Sequence, residues 1–393
     1  MSERRATALL YCHDTFGLGH LRRTLSVVAA LAQRCPELTH VVATGSPLAH
    51  AFRLPERVDY VKLPSVVKTA AGEYAPRSLA VAPTDVAELR SDILTAVARR
   101  LRPELVLVDN VPPGLGGELL SALKELRCGG RTRLVLGLRD VVDEPERVRR
   151  AWTRDGSYEL LDDLYDRILV YGQRDVYDLA TEYGFSAAAQ AKTRYVGYLR
   201  RGEPKQRRRR RPVRVLVTAG GGGDGFPLLR TAVESRALTG RAAEHWLVVT
   251  GPFLPAEERR ALERLAGRAP GLELLEFTRG LPALVATADV VVSMGGYNSI
   301  CEILSAGRPA VIVPRVEPRL EQLIRARALE QRGLVRVVHP DDLAPKTLTE
   351  AIDALAAQGA PGAEGVDLSG LDNATAELEA LLYGAEPVAR AAG

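Results

Sequence analysis

The sequence predicts an α/β protein built as two similar, doubly wound halves. Short apolar runs rich in β-branched residues recur along the chain with helical patterns between several of them, the alternation expected of parallel strands and helices. That alternation stops at a charged stretch bearing Gly202, Pro204 and Pro212, and then begins again. With 393 residues, the chain suits two domains of ordinary size, each able to bury a core.

In the first half, strand-like runs lie at Ala8–Cys12, His40–Thr44, Val58–Leu63, Leu105–Asp109, Leu134–Leu138 and Ile168–Tyr171. Helical patterns fall at Leu21–Arg34 and Asp85–Leu101. The stretch from Arg200 to Pro212 contains five consecutive arginines, Arg207 to Arg211, and reads as an interdomain linker. A nucleic-acid or acidic-lipid patch is the alternative, but no aromatics interleave with the arginines. In the second half the runs are Val213–Thr218, Trp246–Thr250, Leu272–Phe277, Val290–Ser293, Ala310–Val313 and Leu334–Val338. The expected division is therefore a first domain over 1–202, a basic linker over 203–212, a second domain over 213–372, and a C-terminal helix and tail over 373–393, frayed from Gly384. Ligands of such folds bind at the carboxyl ends of the strands.

A hydrophobic content of 46% beside 26% charged residues is that of a soluble globular protein. The net charge of +4 is concentrated in the arginine run, so it does not argue for nucleic acid. Cys12, Cys35, Cys128 and Cys301 show no metal-binding spacing and no disulfide framework, which fits a reducing cytosol. Met1 to Thr7 is polar, unlike a signal peptide, and no stretch approaches the ~20 apolar residues of a membrane span. A cytoplasmic location is expected, with membrane association peripheral at most.

Two glycine-rich turns each follow the first strand of a half. Gly17-Leu18-Gly19-His20 begins like the dinucleotide fingerprint, but Arg22 stands at its third glycine position and the next strand ends without an acid. His20, at the mouth of that turn, suits a general base because imidazole titrates near working pH. His13 competes for the role, and either histidine can equally be a cap. In the second half, Gly220, Gly222 and Gly225 satisfy the glycine spacing, yet that strand's successor ends in Thr250-Gly251, again without an acid. The turn at Gly221, Gly222, Gly223 and Asp224 therefore reads as bare backbone meeting a phosphate or another loop. No Walker motif is present.

Asp289 to Ser293 is a β-branched run, followed by Met294, the tight turn Gly295-Gly296, and a helix from about Asn298 and Ser299 that stops at Gly307-Arg308-Pro309. Such a turn aims free N–H groups and the positive helix end at one spot, which suits phosphate. Glu302, one turn into that helix, is placed to reach a sugar hydroxyl; a solvated glutamate is the plain alternative. Glu321-Gln322 opens a further helix after Pro314-Arg315. Asp109 and Arg139 each end a buried strand, where a side chain faces a ligand or caps the next element.

Taken in order, Gly-Leu-Gly-His at Gly17–His20, the glycines and Asp224 of 221–225, Glu276-Phe277, the turn at 293–296, Glu302 through Pro309, Pro314 and Glu321-Gln322 resemble the GT-B glycosyltransferases. The likeness runs from about Leu9 to Val338. It is nearest to the group holding the N-acetylglucosaminyltransferase that makes peptidoglycan's lipid-linked disaccharide. That resemblance implies two Rossmann-like domains facing across a cleft, an acceptor bound by the first and a nucleotide sugar by the second. Glu302 would hold the ribose hydroxyls, and Phe277 and Thr278 would lie where backbone recognises the base. The two second-half turns would meet the diphosphate, with Met294, Asn298, Ser299 and Glu321 in the donor site, and Gln322 matches a glutamine near the donor sugar or ribose. His20 matches the family's acceptor-side histidine proposed as general base. Asp109, from its strand end, is a second catalytic candidate, and His13, Gly17, Gly19 and Arg139 are candidates for the acceptor side. The resemblance further implies inversion at the anomeric carbon with no metal and no cofactor beyond the co-substrate, a UDP sugar such as UDP-N-acetylglucosamine.

The family's apolar membrane-docking patch is not evident and the first loop reads His13-Asp14-Thr15-Phe16, so a small soluble acceptor is expected. No nucleic-acid partner is expected, and the sequence leaves room for a homodimer. A nucleotide-sugar hydrolase or epimerase of the same fold is the main alternative. An NAD-dependent oxidoreductase and a non-catalytic nucleotide-binding protein are further ones.

Overall fold

A computed structural model describes residues 6–13, 19–68, 74–200, 213–238, 244–278, 280–359 and 365–384. Gly17, the arginine run and the tail beyond Gly384 lie outside the described residues. The chain divides into two compact units, one formed by Met1–Leu199 with Ser369–Gly393 and the other by Arg200–Leu368.

The first unit is a seven-stranded sheet. Its strands are β1 (Thr7–Cys12), β2 (Thr39–Thr44), β3 (Val58–Lys62), β6 (Leu105–Asp109), β7 (Arg133–Arg139), β8 (Arg167–Tyr171) and β9 (Thr193–Tyr195). They pair in parallel in the order β3-β2-β1-β6-β7-β8-β9. A short antiparallel hairpin, β4 (Val66–Lys68) with β5 (Tyr74–Pro76), stands apart. Every residue of β6 is buried, as its unbroken apolar run demands of a central parallel strand. The helix Gly19–Arg34 buries Leu21, Thr24, Val27, Val28 and Leu31, the stripe that a 3.6-residue period puts on one face. The helix Pro83–Leu101 starts at a proline, whose missing N–H costs nothing there, and stops where Arg102 turns left-handed.

Between β1 and β6 the winding of this sheet changes direction. Tyr11 and Glu118 support that region from beneath. The Tyr11 hydroxyl donates to Glu118 Oε1 at 2.6 Å and accepts from the Leu115 N–H at 2.9 Å. Arg90 grips the same carboxylate through Nε and Nη2, both at 2.5 Å.

The second unit is a six-stranded parallel sheet of β10 (Val213–Thr218), β11 (Trp246–Val249), β12 (Leu272–Leu275), β13 (Ala288–Ser293), β14 (Ala310–Ile312) and β15 (Arg336–Val337). The order β12-β11-β10-β13-β14-β15 again reverses direction beside its first strand. Trp246, Val215, Val217, Val290, Val292 and Leu348 lie in its core.

The last helix, Gly370–Tyr383, belongs to the first unit, so the second ends at Leu368 rather than near 372. Leu199 bridges Ser369, Asn373 Nδ2 donates to the Val196 carbonyl at 3.0 Å, and Glu379 pairs with Arg34. Gly370 makes this approach feasible, because a Cβ there would lie 2.5 Å from the Gly197 carbonyl oxygen. No helix among the described residues is long and apolar enough to cross a membrane.

Candidate active site

Parallel pairing brings the carboxyl ends of all strands in a sheet to one edge, and at the point where strand order reverses the loops part to leave a crevice. In the first unit that point lies between β1 and β6, and the candidate residues His13, His20 and Asp109 gather there. His13 follows β1 directly and is buried, its ring centroid 4.3 Å from that of His20. Gly19 and His20 open the helix after β1. His20 Nδ1 lies 2.5 Å from Asp109 Oδ2, across 89 residues of sequence. Arg23 binds the same carboxylate in a fork, Nε to Oδ1 at 2.8 Å and Nη2 to Oδ2 at 2.7 Å.

These charges decide the protonation states. Burial alone would raise the Asp109 carboxyl, but the Arg23 guanidinium and His20 win and hold it well below the usual range. Burial is the largest influence on His20 and lowers the imidazole to about 4, against the opposing pull of Asp109; Arg23 and Arg139 add to the lowering. A fifth of the side chain stays exposed, and the water that reaches it opposes that lowering. The imidazole is therefore neutral at pH 7. In the tautomer in which Nδ1–H donates to the ionised Asp109 Oδ2, the basic lone pair is on Nε2; Arg23 Nη2, which can only donate, also stands 2.9 Å from Nδ1. This is the arrangement of a general base held by a buried carboxylate. Arg139 ends β7 and donates from Nε to Asn110 Oδ1 at 3.3 Å, with Asn110 held at a φ of 71°.

In the second unit the candidates line the same edge of the sheet. After β10, Gly220 and Gly222 take positive φ, and a Cβ on Gly222 would lie 2.2 Å from the Thr250 carbonyl oxygen. That glycine is demanded by the fold itself. Gly221 accepts from the Phe253 N–H at 2.9 Å, while Gly223 and Asp224 are exposed. After β13, Gly295 has a φ of 76° and packs where a Cβ would strike Ile312 at 2.6 Å. Gly296 is different. Its φ of −58° suits any residue and no atom lies within 4 Å of where its Cβ would be, so the fold leaves open space beside it. It also heads the helix Tyr297–Ala306, which no side chain caps.

Asn298, Ser299 and Glu302 are half-buried, with Asn298 and Glu302 one turn apart on one face. The Met294 side chain packs into the core, which leaves only its backbone for a ligand. Phe277 is exposed beyond β12, and the Thr278 hydroxyl accepts from the Gly280 N–H at 3.0 Å. This loop lies at the sheet edge, separated from β13 by β11 and β10. Glu321 and Gln322 do open a helix, but as buried residues rather than a solvated start.

Two arginines that sequence reasoning passed over organise this unit's loops. Arg315 bonds to Asp224 and Glu321. Arg325, 1% exposed, donates to the Gly295 carbonyl at 3.3 Å and sits 5.7 Å from the Tyr297 ring centroid. Arg23 was also missed, although its position three residues after His20 puts both on one helix face.

Residues 214–364 match the model of the glycosyltransferase family 28 C-terminal domain. The match falls within the second unit. An uncharacterized glycosyltransferase of Methanopyrus kandleri is 34% identical over 139 residues, 35% of this chain and 37% of that protein. The UDP-N-acetylglucosamine--N-acetylmuramyl-(pentapeptide) pyrophosphoryl-undecaprenol N-acetylglucosamine transferase of Rubrobacter xylanophilus is 29% identical over 146 residues, 37% of this chain and 41% of its own. The chain thus spans about two fifths of the length of these curated relatives. Over nearly the whole chain, the fold is similar to the crystal structure of CalG4, the calicheamicin glycosyltransferase, with a TM-score of 0.62 and 20% identity over 99% of this chain and 100% of that one. The architecture is GT-B, two α/β units with parallel sheets, as the sequence motifs implied.

Proposed function

We propose that the protein is a glycosyltransferase that moves a sugar from a nucleotide diphosphate to a hydroxyl group of a small-molecule acceptor, inverting the anomeric carbon without a metal. The donor is a UDP sugar, with UDP-N-acetylglucosamine the first to try because the Rubrobacter relative is described as using it. The observation that carries this reading is the His20–Asp109 pair at the switch point of one unit, together with a second unit that matches the family 28 C-terminal domain model.

The roles follow from the chemistry. His20 Nε2 takes the acceptor's hydroxyl proton, Asp109 keeps the ring oriented and stabilises the imidazolium as it forms, and Arg23 keeps Asp109 ionised. In the second unit, Glu302 binds the ribose hydroxyls. The N–H groups around Gly221–Gly223 and Gly296–Ser299, with the helix end behind them, take the charge of the departing diphosphate.

The test is to incubate the protein with UDP-N-acetylglucosamine and a panel of hydroxylated acceptors, beside a donor-only arm. UDP release that requires an acceptor and vanishes in His20→Ala supports the proposal. Donor hydrolysis or epimerisation with no acceptor present selects the hydrolase or epimerase reading instead. NMR of the product's anomeric proton reports inversion or retention, and an unchanged rate in a chelator tests independence from metal.

A further inference from the structure

Arg315 follows Pro314 in the loop after β14 and joins three parts of the second unit. Its Nη1 donates to Asp224 Oδ2 at 3.1 Å, on the glycine turn after β10. Its Nη2 donates to Glu321 Oε1 at 2.7 Å, at the head of the helix Glu321–Gln331. Its backbone N–H donates to Gln322 Oε1 at 2.9 Å. The Nε–H is buried and has no acceptor. The guanidinium therefore keeps an unsatisfied donor in this arrangement, while about a quarter of its side chain (28%) faces solvent.

The charges around it conflict with the role assigned to this turn. A dianionic diphosphate brought to the glycine turn approaches Asp224, about half exposed, and Glu321, whose side chain is almost fully buried. Both repel it, and the buried one is poorly screened by salt. Arg315 is bonded to both carboxylates and carries the compensating charge. Arg325, deeper in the unit, donates to the Gly295 carbonyl and lies over the Tyr297 ring.

We propose that Arg315 sets the affinity of the second unit for a nucleoside diphosphate by cancelling the charges of Asp224 and Glu321 at the glycine turn. It is a positioning residue that acts through those two carboxylates. The inference rests on the donor role proposed above and adds a residue to it.

The test is calorimetric titration of the full chain with UDP and, separately, with uridine, which lacks the phosphates. Arg315→Ala weakens UDP about tenfold or more and leaves uridine unchanged. Asp224→Asn, a change at an exposed side chain that should not disturb folding, tightens UDP several-fold. The double variant Arg315→Ala with Asp224→Asn recovers much of the loss, a coupling that a double-mutant cycle reads directly. Arg315→Lys keeps the charge and loses less affinity than Arg315→Ala.

Equal weakening of UDP and uridine by Arg315→Ala would show a merely structural tie, and an unchanged or weakened UDP affinity in Asp224→Asn would also overturn the inference. A wild-type protein that binds none of UDP, TDP, GDP or ADP overturns the donor reading and this inference with it. Binding by wild type with no response in the variants overturns this inference alone.

Discussion

His20 is the residue on which the proposed chemistry turns, and its protonation can be measured before any acceptor is known. Burial, with the nearby Arg23 and Arg139, lowers the imidazole to about 4, and Asp109 does not reverse this because its charge is already gripped by Arg23. The displacement from 6.5 is worth ~3 kcal/mol in favour of the neutral ring, an upper figure given the exposed fifth of the side chain. At pH 5.5 an ordinary histidine is about one-tenth neutral, whereas one titrating near 4 is almost wholly neutral, close to a tenfold difference in available base.

The assay is an NMR titration of the six histidine Cε1–H signals, with His20 assigned by its loss in His20→Gln. The expected inflection lies well below pH 6, and once an acceptor is found kcat/KM should show its acid limb in the same range. Arg139→Gln should move the inflection upward, since one of the repelling cations is gone. An inflection at or above 6.5 would refute the argument, and would mean that the Asp109 attraction outweighs burial.

Three further outcomes are expected. Glu302→Ala raises the donor KM with little change in kcat, and steady-state kinetics with an unchanged KM would reject the ribose role. Glu118→Ala leaves Arg90, 1% exposed, as an uncompensated buried charge and lowers unfolding stability by ~3–5 kcal/mol, read from denaturant midpoints; Glu118→Gln should cost less. His40 is fully buried, neither ring nitrogen has a hydrogen-bond partner, and burial lowers it to about 4, so the unfolded chain takes up its proton first as the pH falls. Its contribution is intact above about pH 6.5 and is lost between there and about 4. His40→Val should gain up to ~3 kcal/mol on wild type between urea melts at pH 7 and pH 4.5, and an equal gap at both would rule this out.

Much of the fold was legible because central parallel strands carry an unmistakable composition. Leu105–Val108 and Val290–Val292 admit few other readings, and the turns after β10 and β13 announce themselves by glycine. The strand Thr193–Tyr195 was not legible, since Thr-Arg-Tyr at a sheet edge has neither length nor apolar continuity. The hairpin at Val66–Pro76 is too short to show a period.

In the candidate site, positions were easier to read than partnerships. His20 was visible at the mouth of a glycine turn and Asp109 at a strand's carboxyl end, but their contact spans 89 residues and only sheet order creates it. The bond from Arg315 to Asp224 spans 91 residues and has no local signature at all. Glycine carries two meanings that sequence alone does not separate: Gly222 and Gly295 are required by their own packing, whereas Gly296 faces empty space.

The return of the last helix to the first unit has a consequence for synthesis on the ribosome. The second unit is one uninterrupted stretch, Arg200–Leu368, and can close its sheet from a single piece of emerging chain. The first unit cannot finish so early. Its sheet is complete once Tyr195 has emerged, yet the helix whose Ala374 and Leu378 pack inward arrives only after all of the intervening unit has been made. At ribosomal speeds that is a wait of about ten to forty seconds. During it the face of the helix Gly19–Arg34 that will meet this latecomer stays uncovered.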